Sequence, residues 1–263
     1  MKIAVAGKGG VGKTTVCAWF ADYLSRQGKD VLLIDADSNA TLGLALGFSE
    51  GQLPIPISEE LELINSRVGS GIINLNPKVE DIPERYCVTK DNIKLLILGG
   101  IKAAGSGCSC SANAFLKALL AHILLERDEI ILVDLEGGIE HLGRGTVEGM
   151  DALIVVSEPT FISFKTAKSI SLMASELGLT KKFLIFNKVS QVNLKFDAFD
   201  YFDRVNYIDF LPDLVRVSVS NSCILDIEQR KYCDTVFSDI FKFLNKEDQN
   251  GKKPGRDRRV KYL

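Results

Sequence analysis

The 263 residues carry 32 Lys and Arg against 34 Asp and Glu, a net charge of −2, which excludes the general basic surface that holds DNA or anionic lipid. With 46% hydrophobic and 25% charged residues the chain is long enough for one large α/β domain, and no stretch reads as a linker between two. Met1-Lys2 lead straight into an apolar run and no run approaches a signal or membrane segment, so a cytoplasmic protein is expected, its six cysteines serving as thiols or metal ligands rather than disulfides.

The first strand, Ile3 to Ala6, is followed by Gly7-Lys8-Gly9-Gly10-Val11-Gly12-Lys13-Thr14 and a helix-like stretch from Thr15 to Gln27. This fits G-x-x-x-x-G-K-[ST], the pattern in which glycines let backbone N–H groups turn toward phosphates. Lys13 then reaches the β- and γ-phosphates, and Thr14 offers its hydroxyl to Mg²⁺. Gly9, Gly10, Val11, Gly12, Lys13, Thr14 and Thr15 are the expected phosphate-binding residues, helped by the positive end of the helix. Lys8 is unusual, because a lysine flanked by glycines has no core to enter and its charge must meet water, phosphate or a partner.

Val31 to Ile34 reads as a buried parallel strand ending in Asp35-Ala36-Asp37. Asp37 is expected to orient or deprotonate the attacking water, and Asp35 to cap or orient the loop. Residues 38–79 show no sustained period and read as a variable excursion. Ile93 to Leu98 is the next strand; it runs into Gly99-Gly100 and the loop Gly105-Ser106-Gly107-Cys108-Ser109-Cys110, then a helix for which Ser111 or Asn113 would be the cap. Residues two apart in an extended loop face one side, so Cys108 and Cys110 could bind one metal ion. Two thiolates leave a tetrahedral site half filled, so other side chains join or a second chain supplies an identical pair. The competing reading is two small residues buried in a loop, which the flanking Gly and Ser disfavour. Cys17 reads as a packed core residue, and Cys87, Cys223 and Cys233 show no ligand spacing.

Glu129 to Val133 is another buried strand, with Asp134 at its tip as the second Mg²⁺-holding residue and Gly137 placed to offer its N–H to the γ-phosphate. Further strands are expected at Ala152 to Val156, Phe183 to Phe186 and Tyr207 to Phe210, with helices around Thr166 to Leu177, Val215 to Ser220 and Asp226 to Leu244. Alternating strands and helices predict a mainly parallel sheet covered on both faces, a single domain over 1–245, and a basic, mobile tail over 246–263. Phe186-Asn187-Lys188 resembles the base-reading Asn-Lys pair of GTPases, but Ser190 stands where their guanine-binding Asp belongs, which favours adenine. Asn187 is expected at the adenine edge, with Pro212 and Asp213 lining the pocket.

Lys8 within Gly7 to Thr14, Asp35-x-Asp37 and Asp134-x-x-Gly137 together resemble the deviant Walker A ATPases, P-loop proteins that include MinD, ParA and the nitrogenase iron protein. The resemblance reaches to about Pro212 and implies ATP hydrolysis to ADP with Mg²⁺, and a homodimer in which Lys8 reaches the partner's phosphates. The family often has Pro after the second switch Asp; Ser38 stands there. Within that family, the run from Asp134 to Thr146 and the C-x-C loop resemble the CooC branch, accessory ATPases of carbon monoxide dehydrogenase that support nickel insertion. That likeness implies Ni²⁺ or Zn²⁺ at Cys108 and Cys110 across the dimer and a nickel-dependent client, while the net charge and the basic run Arg256 to Leu263, which has no apolar stripe, argue against nucleic acid and membrane as partners. His141 reads as a polar loop residue or a further ligand, and His122 as structural. The alternatives are a MinD- or ParA-like positioning switch and an iron–sulfur carrier ATPase, for which C-x-x-C is the more usual motif.

Overall fold

The computed structural model describes residues 1–69, 74, 76–100, 110–139, 142, 144–190, 197–219 and 223–250. Its elements run β1 (Lys2–Ala6), α1 (Lys13–Arg26), β2 (Val31–Ala36), α2 (Leu42–Ala45), α3 (Leu61–Val68), α4 (Ile82–Tyr86), β3 (Val88–Lys90), β4 (Ile93–Ile97), α5 (Cys110–Glu126) and β5 (Ile130–Leu135). They continue with α6 (Arg144–Glu148), β6 (Ala152–Ser157), α7 (Phe161–Glu176), β7 (Lys182–Val189), β8 (Arg204–Asp209), α8 (Pro212–Val219) and α9 (Asp234–Asn250).

The eight strands lie in the order β3-β4-β2-β5-β1-β6-β7-β8, all pairs parallel except β3 with β4. The central strands are continuous Val, Ile, Leu and Ala runs because helices cover both faces. Their period of two sorts the core into two layers. Ala4, Ala6, Leu32 and Ile34 face Phe115, Leu119 and Ile123 of α5 and Phe164 of α7. Ile3, Val5 and Leu33 face Trp19 and Phe20 of α1 and Phe237 and Ile240 of α9. After β1 the chain moves to β2 on one side, and after β5 it crosses to β6 on the other. The crevice at the carboxyl end of β1 is therefore the topological switch point, where open α/β sheets bind their ligands.

One strand was not expected and three expectations change. Val88 to Lys90 is a strand, too short and half-exposed to show a period; it makes a hairpin with β4 around Asp91, which holds φ 52°. The stretch 38–79 contains α2 and α3, and Leu42, Leu46, Ile57, Ile64 and Val68 enter the core. Elements of one or two turns leave no measurable period in sequence. The helix after the cysteine loop begins at Cys110, so Ser111 and Asn113 lie inside its first turn rather than capping it. Cys110, Ser111 and Asn113 are weak helix formers, so the core packing of Phe115, Leu116, Leu119 and Leu120 carries the helix back to Cys110, the second of the two thiols expected in an extended loop. The last helix begins at Asp234 after two 3₁₀ turns, tied there by an Arg26–Asp234 ion pair of 2.7 Å, and continues to Asn250. The helix thus runs past residue 245, where Lys246, Glu247 and Gln249 favour helix without an apolar anchor. Residues 251–263 of the expected tail lie outside the described residues.

Candidate functional site

β1 delivers the chain into a loop that only glycine permits at two points. Gly7 has φ 148°, and a Cβ there would lie 2.2 Å from the Val156 carbonyl oxygen. Gly12 has φ 97°, and a Cβ there would lie 2.3 Å from Asn187 Nδ2. α1 then opens at Lys13 with no acidic residue in its first turn, and Gly12 brings no side chain to cap it. The free N–H groups and the helix dipole make that end an anion site. Lys13 is buried, Thr14 and Thr15 are half-buried, and Lys8, Gly9 and Gly10 are exposed.

The strand tips bring three carboxylates to the loop. Register places Asp35 of β2 directly opposite Asp134 of β5, and Asp134 opposite Val5. Thr14 Oγ1 donates to Asp134 Oδ2 at 2.7 Å. Asp134 Oδ1 is buried with no hydrogen-bond partner among the described residues. Burial, followed by the nearby Asp35 charge, outweighs the Thr14 bond and raises the Asp134 carboxyl from 3.8 to about 7. A hydroxyl and an orphaned carboxylate oxygen side by side are the oxygen donors a small hard cation takes, so these residues fit Mg²⁺.

Asp35 is also buried, and burial raises it to about 6. Its two oxygens accept the Asp37 N–H at 3.1 Å and the Leu42 N–H at 2.9 Å, which folds the intervening loop and caps α2. Asp37 is left half-buried, with Oδ1 accepting the Asn39 N–H at 2.9 Å. Gly7 N–H donates to the Gly137 carbonyl at 2.8 Å, tying the phosphate-type loop to the loop after β5. Glu136 Oε2 accepts the Ser38 N–H at 3.2 Å. Gly100 lies against both, since a Cβ there would fall 2.8 Å from Ser38 Cβ and 3.2 Å from Glu136 Oε2. Gly100, beyond β4, therefore packs against the point where the loop after β2 meets the loop after β5.

Asn187, at the tip of β7, is buried and its Nδ2 donates to the Val11 carbonyl at 2.8 Å. Lys188 Nζ donates to the Gly10 carbonyl at 2.8 Å and pairs with Glu158 Oε1 at 2.6 Å. Pro212 opens α8, with Asp213 engaged by Gln229 and Arg216. The structure thus gathers Lys13, Thr14, Asp35, Asp37, Asp134, Gly137 and Asn187 at one sheet edge. Cys108 and His141 lie outside the described residues, and of Cys110 only its place at the start of α5 is described. Among the described residues no group of three or more His, Cys, Asp or Glu has the arrangement of a metal site. Cys17 and Cys233 are buried core thiols, Cys87 and Cys223 are partly buried, and His122 sits half-buried on α5. Sequence reasoning missed Glu158, Glu136 and the contact made by Lys188, although the Asn-Lys pair was visible; a carboxylate after a strand tip gives no signal of which loop it will meet.

The pattern of the CobQ/CobB/MinD/ParA nucleotide-binding domain matches residues 2–222. The chain belongs to the CobQ/CobB/MinD/ParA nucleotide-binding family. Within it the chain is 44% identical over 220 residues to the carbon monoxide dehydrogenase accessory protein CooC of Rhodospirillum rubrum, covering 80% of this chain and 84% of that one. It is 40% identical over 257 residues to an ATP-binding protein of Methanocaldococcus jannaschii, covering 93% and 99%. The fold matches MinD in the MinC:MinD complex of Aquifex aeolicus with a TM-score of 0.64 at 23% identity, over 97% of this chain and 98% of that one. It also matches MinD with Mg-ADP from Pyrococcus horikoshii, with a TM-score of 0.63 at 20% identity, over 96% and 98%. The chain is a CooC-type member of the CobQ/CobB/MinD/ParA family and an ATPase. No helix among its described residues is long and apolar enough to cross a membrane.

Proposed function

We propose that this ATPase is a cytoplasmic metallocentre maturation factor, a homodimer gated by ATP that carries Ni²⁺ or Zn²⁺ between its subunits and supports nickel insertion into carbon monoxide dehydrogenase. The observation that carries the reading is the juxtaposition of a phosphate-type loop with the orphaned Asp134 oxygen, in a chain 44% identical to CooC. Gly9 to Thr15 cradle the phosphates of ATP or ADP, with Lys13 on the β- and γ-phosphates. Thr14 and Asp134 hold Mg²⁺, which when bound neutralises the phosphate charge. Asp37 orients and activates the attacking water, on a loop whose path Asp35 sets. Gly137 senses the γ-phosphate through its N–H, and its carbonyl already anchors Gly7. Asn187 and Pro212 border the adenine. Lys8, exposed and flanked by glycines, reaches the partner's phosphates and draws the two subunits together on ATP binding.

Cys108 and Cys110 supply two thiolates, and the partner supplies the matching two. Loss of the γ-phosphate is a local change that biases the interface between open and closed arrangements. Gly100 links the two ends of this scheme, because it packs against both Ser38 and Glu136. Equilibrium metal titration of wild type and the Cys108→Ser/Cys110→Ser double variant, with and without a non-hydrolysable ATP analogue, tests the cargo site. Tight binding by the wild type that is strengthened by the analogue and absent from the double variant is expected. Equal stoichiometry and affinity in both proteins would remove the metal role.

A further inference from the structure

Lys188 is one of two non-glycine residues with positive φ among those described, at 59°; the other, Asp91, turns a hairpin. A left-handed backbone crowds the lysine Cβ against the following carbonyl and brings no local hydrogen bond in return. At the same place the register of β7 against β8 shifts between Phe186 and Val189, a bulge that re-aims the side chains it carries. What the distortion achieves is visible at the end of the side chain: Nζ lies 2.8 Å from the Gly10 carbonyl oxygen and 2.6 Å from Glu158 Oε1. Its neighbour Asn187 holds the next carbonyl, Val11, at 2.8 Å. Two successive carbonyls of the loop are therefore pulled toward β7.

In a planar trans peptide the C=O and N–H point in opposite directions. Fixing the Gly10 carbonyl turns the Val11 N–H away from β7, where it keeps only a long 3.4 Å contact to the Lys8 carbonyl. Fixing the Val11 carbonyl turns the Gly12 N–H the same way. Those are amides that a phosphate would need. An ordinary surface ion pair contributes little and requires neither a bulge nor a strained backbone.

We propose that Lys188, steadied by Glu158, is a positioning residue that presets the amides of the Gly7–Thr14 loop for a diphosphate group. The inference rests on reading that loop as the phosphate cradle. It places the effect on the phosphates that ADP and ATP share, so both nucleotides feel it equally. The pair acts before binding, by holding an arrangement the loop would otherwise reach only part of the time.

The test measures affinity for ADP and for a non-hydrolysable ATP analogue, and the melting temperature without nucleotide, in Lys188→Gly and Lys188→Met. Lys188→Gly accepts the positive φ without strain, so it folds even if the methionine variant does not. The expected result is a common loss of about tenfold for both nucleotides, the scale of one charge-assisted hydrogen bond, with the Lys188→Gly melting temperature equal to or above that of wild type. Wild-type affinity in Lys188→Gly, or a loss confined to the ATP analogue, would overturn the proposal. Lys13→Ala separates the two readings: if it keeps ADP affinity, the phosphate cradle itself is misplaced. If it loses ADP while the Lys188 variants keep it, only the positioning role fails.

Discussion

Replacing Asp134 by asparagine is expected to stabilise the protein without Mg²⁺ while abolishing its response to Mg²⁺ and nucleotide. Burial raises the Asp134 carboxyl from 3.8 to about 7 and Asp35 to about 6. An acid raised in the folded state contributes stability that is complete below pH 4, where both states hold the proton. That stability is lost as pH rises, because the unfolded chain releases protons the folded one retains, and the loss is complete once pH passes 7. At about 1.4 kcal/mol per pKa unit, ionised Asp134 weighs on the apo protein by about 4 kcal/mol at pH 8. Asparagine removes that charge but places an amide where Oδ1 has no partner, which costs about 1–3 kcal/mol. The net gain is on the order of 1–3 kcal/mol, or several degrees in melting temperature for a chain of this size. Thermal melts in EDTA from pH 5 to pH 8 read it directly. Wild type should melt progressively lower toward pH 8, and Asp134→Asn should flatten that slope and melt higher at pH 8. Adding Mg-ADP should raise the wild-type melt and leave the variant unmoved. A variant that melts below wild type at pH 8 with the slope unchanged would refute the reasoning.

Asp37→Asn should retain nucleotide binding and lower ATP turnover by about 10²-fold or more, the range of a lost general base; turnover within threefold of wild type in a phosphate-release assay would take Asp37 out of the chemistry. Gly12→Ala forces a Cβ to within 2.3 Å of Asn187 Nδ2 at φ 97°. It should lower nucleotide affinity at least about tenfold by titration calorimetry, and the companion Asn187→Ala should restore little of it because the positive φ remains. Glu136→Ala removes the acceptor of the Ser38 N–H; a fall in turnover of about threefold with unchanged ATP affinity is expected, and a change in affinity instead would place Glu136 in binding.

The fold was legible where the chain is buried on both faces. Val31 to Ala36 and Ala152 to Ser157 announce parallel strands because nothing polar interrupts them. Val88 to Lys90 did not, since a three-residue edge strand carries too little apolar signal to stand out. The crevice was legible through spacing: Lys13, Thr14, Asp35, Asp37 and Asp134 all lie at or just beyond the carboxyl ends of strands that share one edge. Contacts made by side chains from distant loops were not. Lys188 shows its role only once β7 lies beside the Gly10 carbonyl, and Glu158 only once β6 brings it to Lys188. The helical start at Cys110 was hidden for another reason, because Ser111 and Asn113 read as caps and so suggested a later start.

The central claim is that nucleotide assembles a shared metal site, and sedimentation velocity with metal analysis of the sedimenting species tests it most directly. With a non-hydrolysable ATP analogue and Ni²⁺ or Zn²⁺, wild type should sediment as a dimer carrying one metal ion per two chains. Lys8→Ala should still bind the analogue yet remain monomeric and lose most hydrolysis. Dimerisation of Lys8→Ala equal to wild type, or a monomer holding one metal ion per chain, would contradict the account.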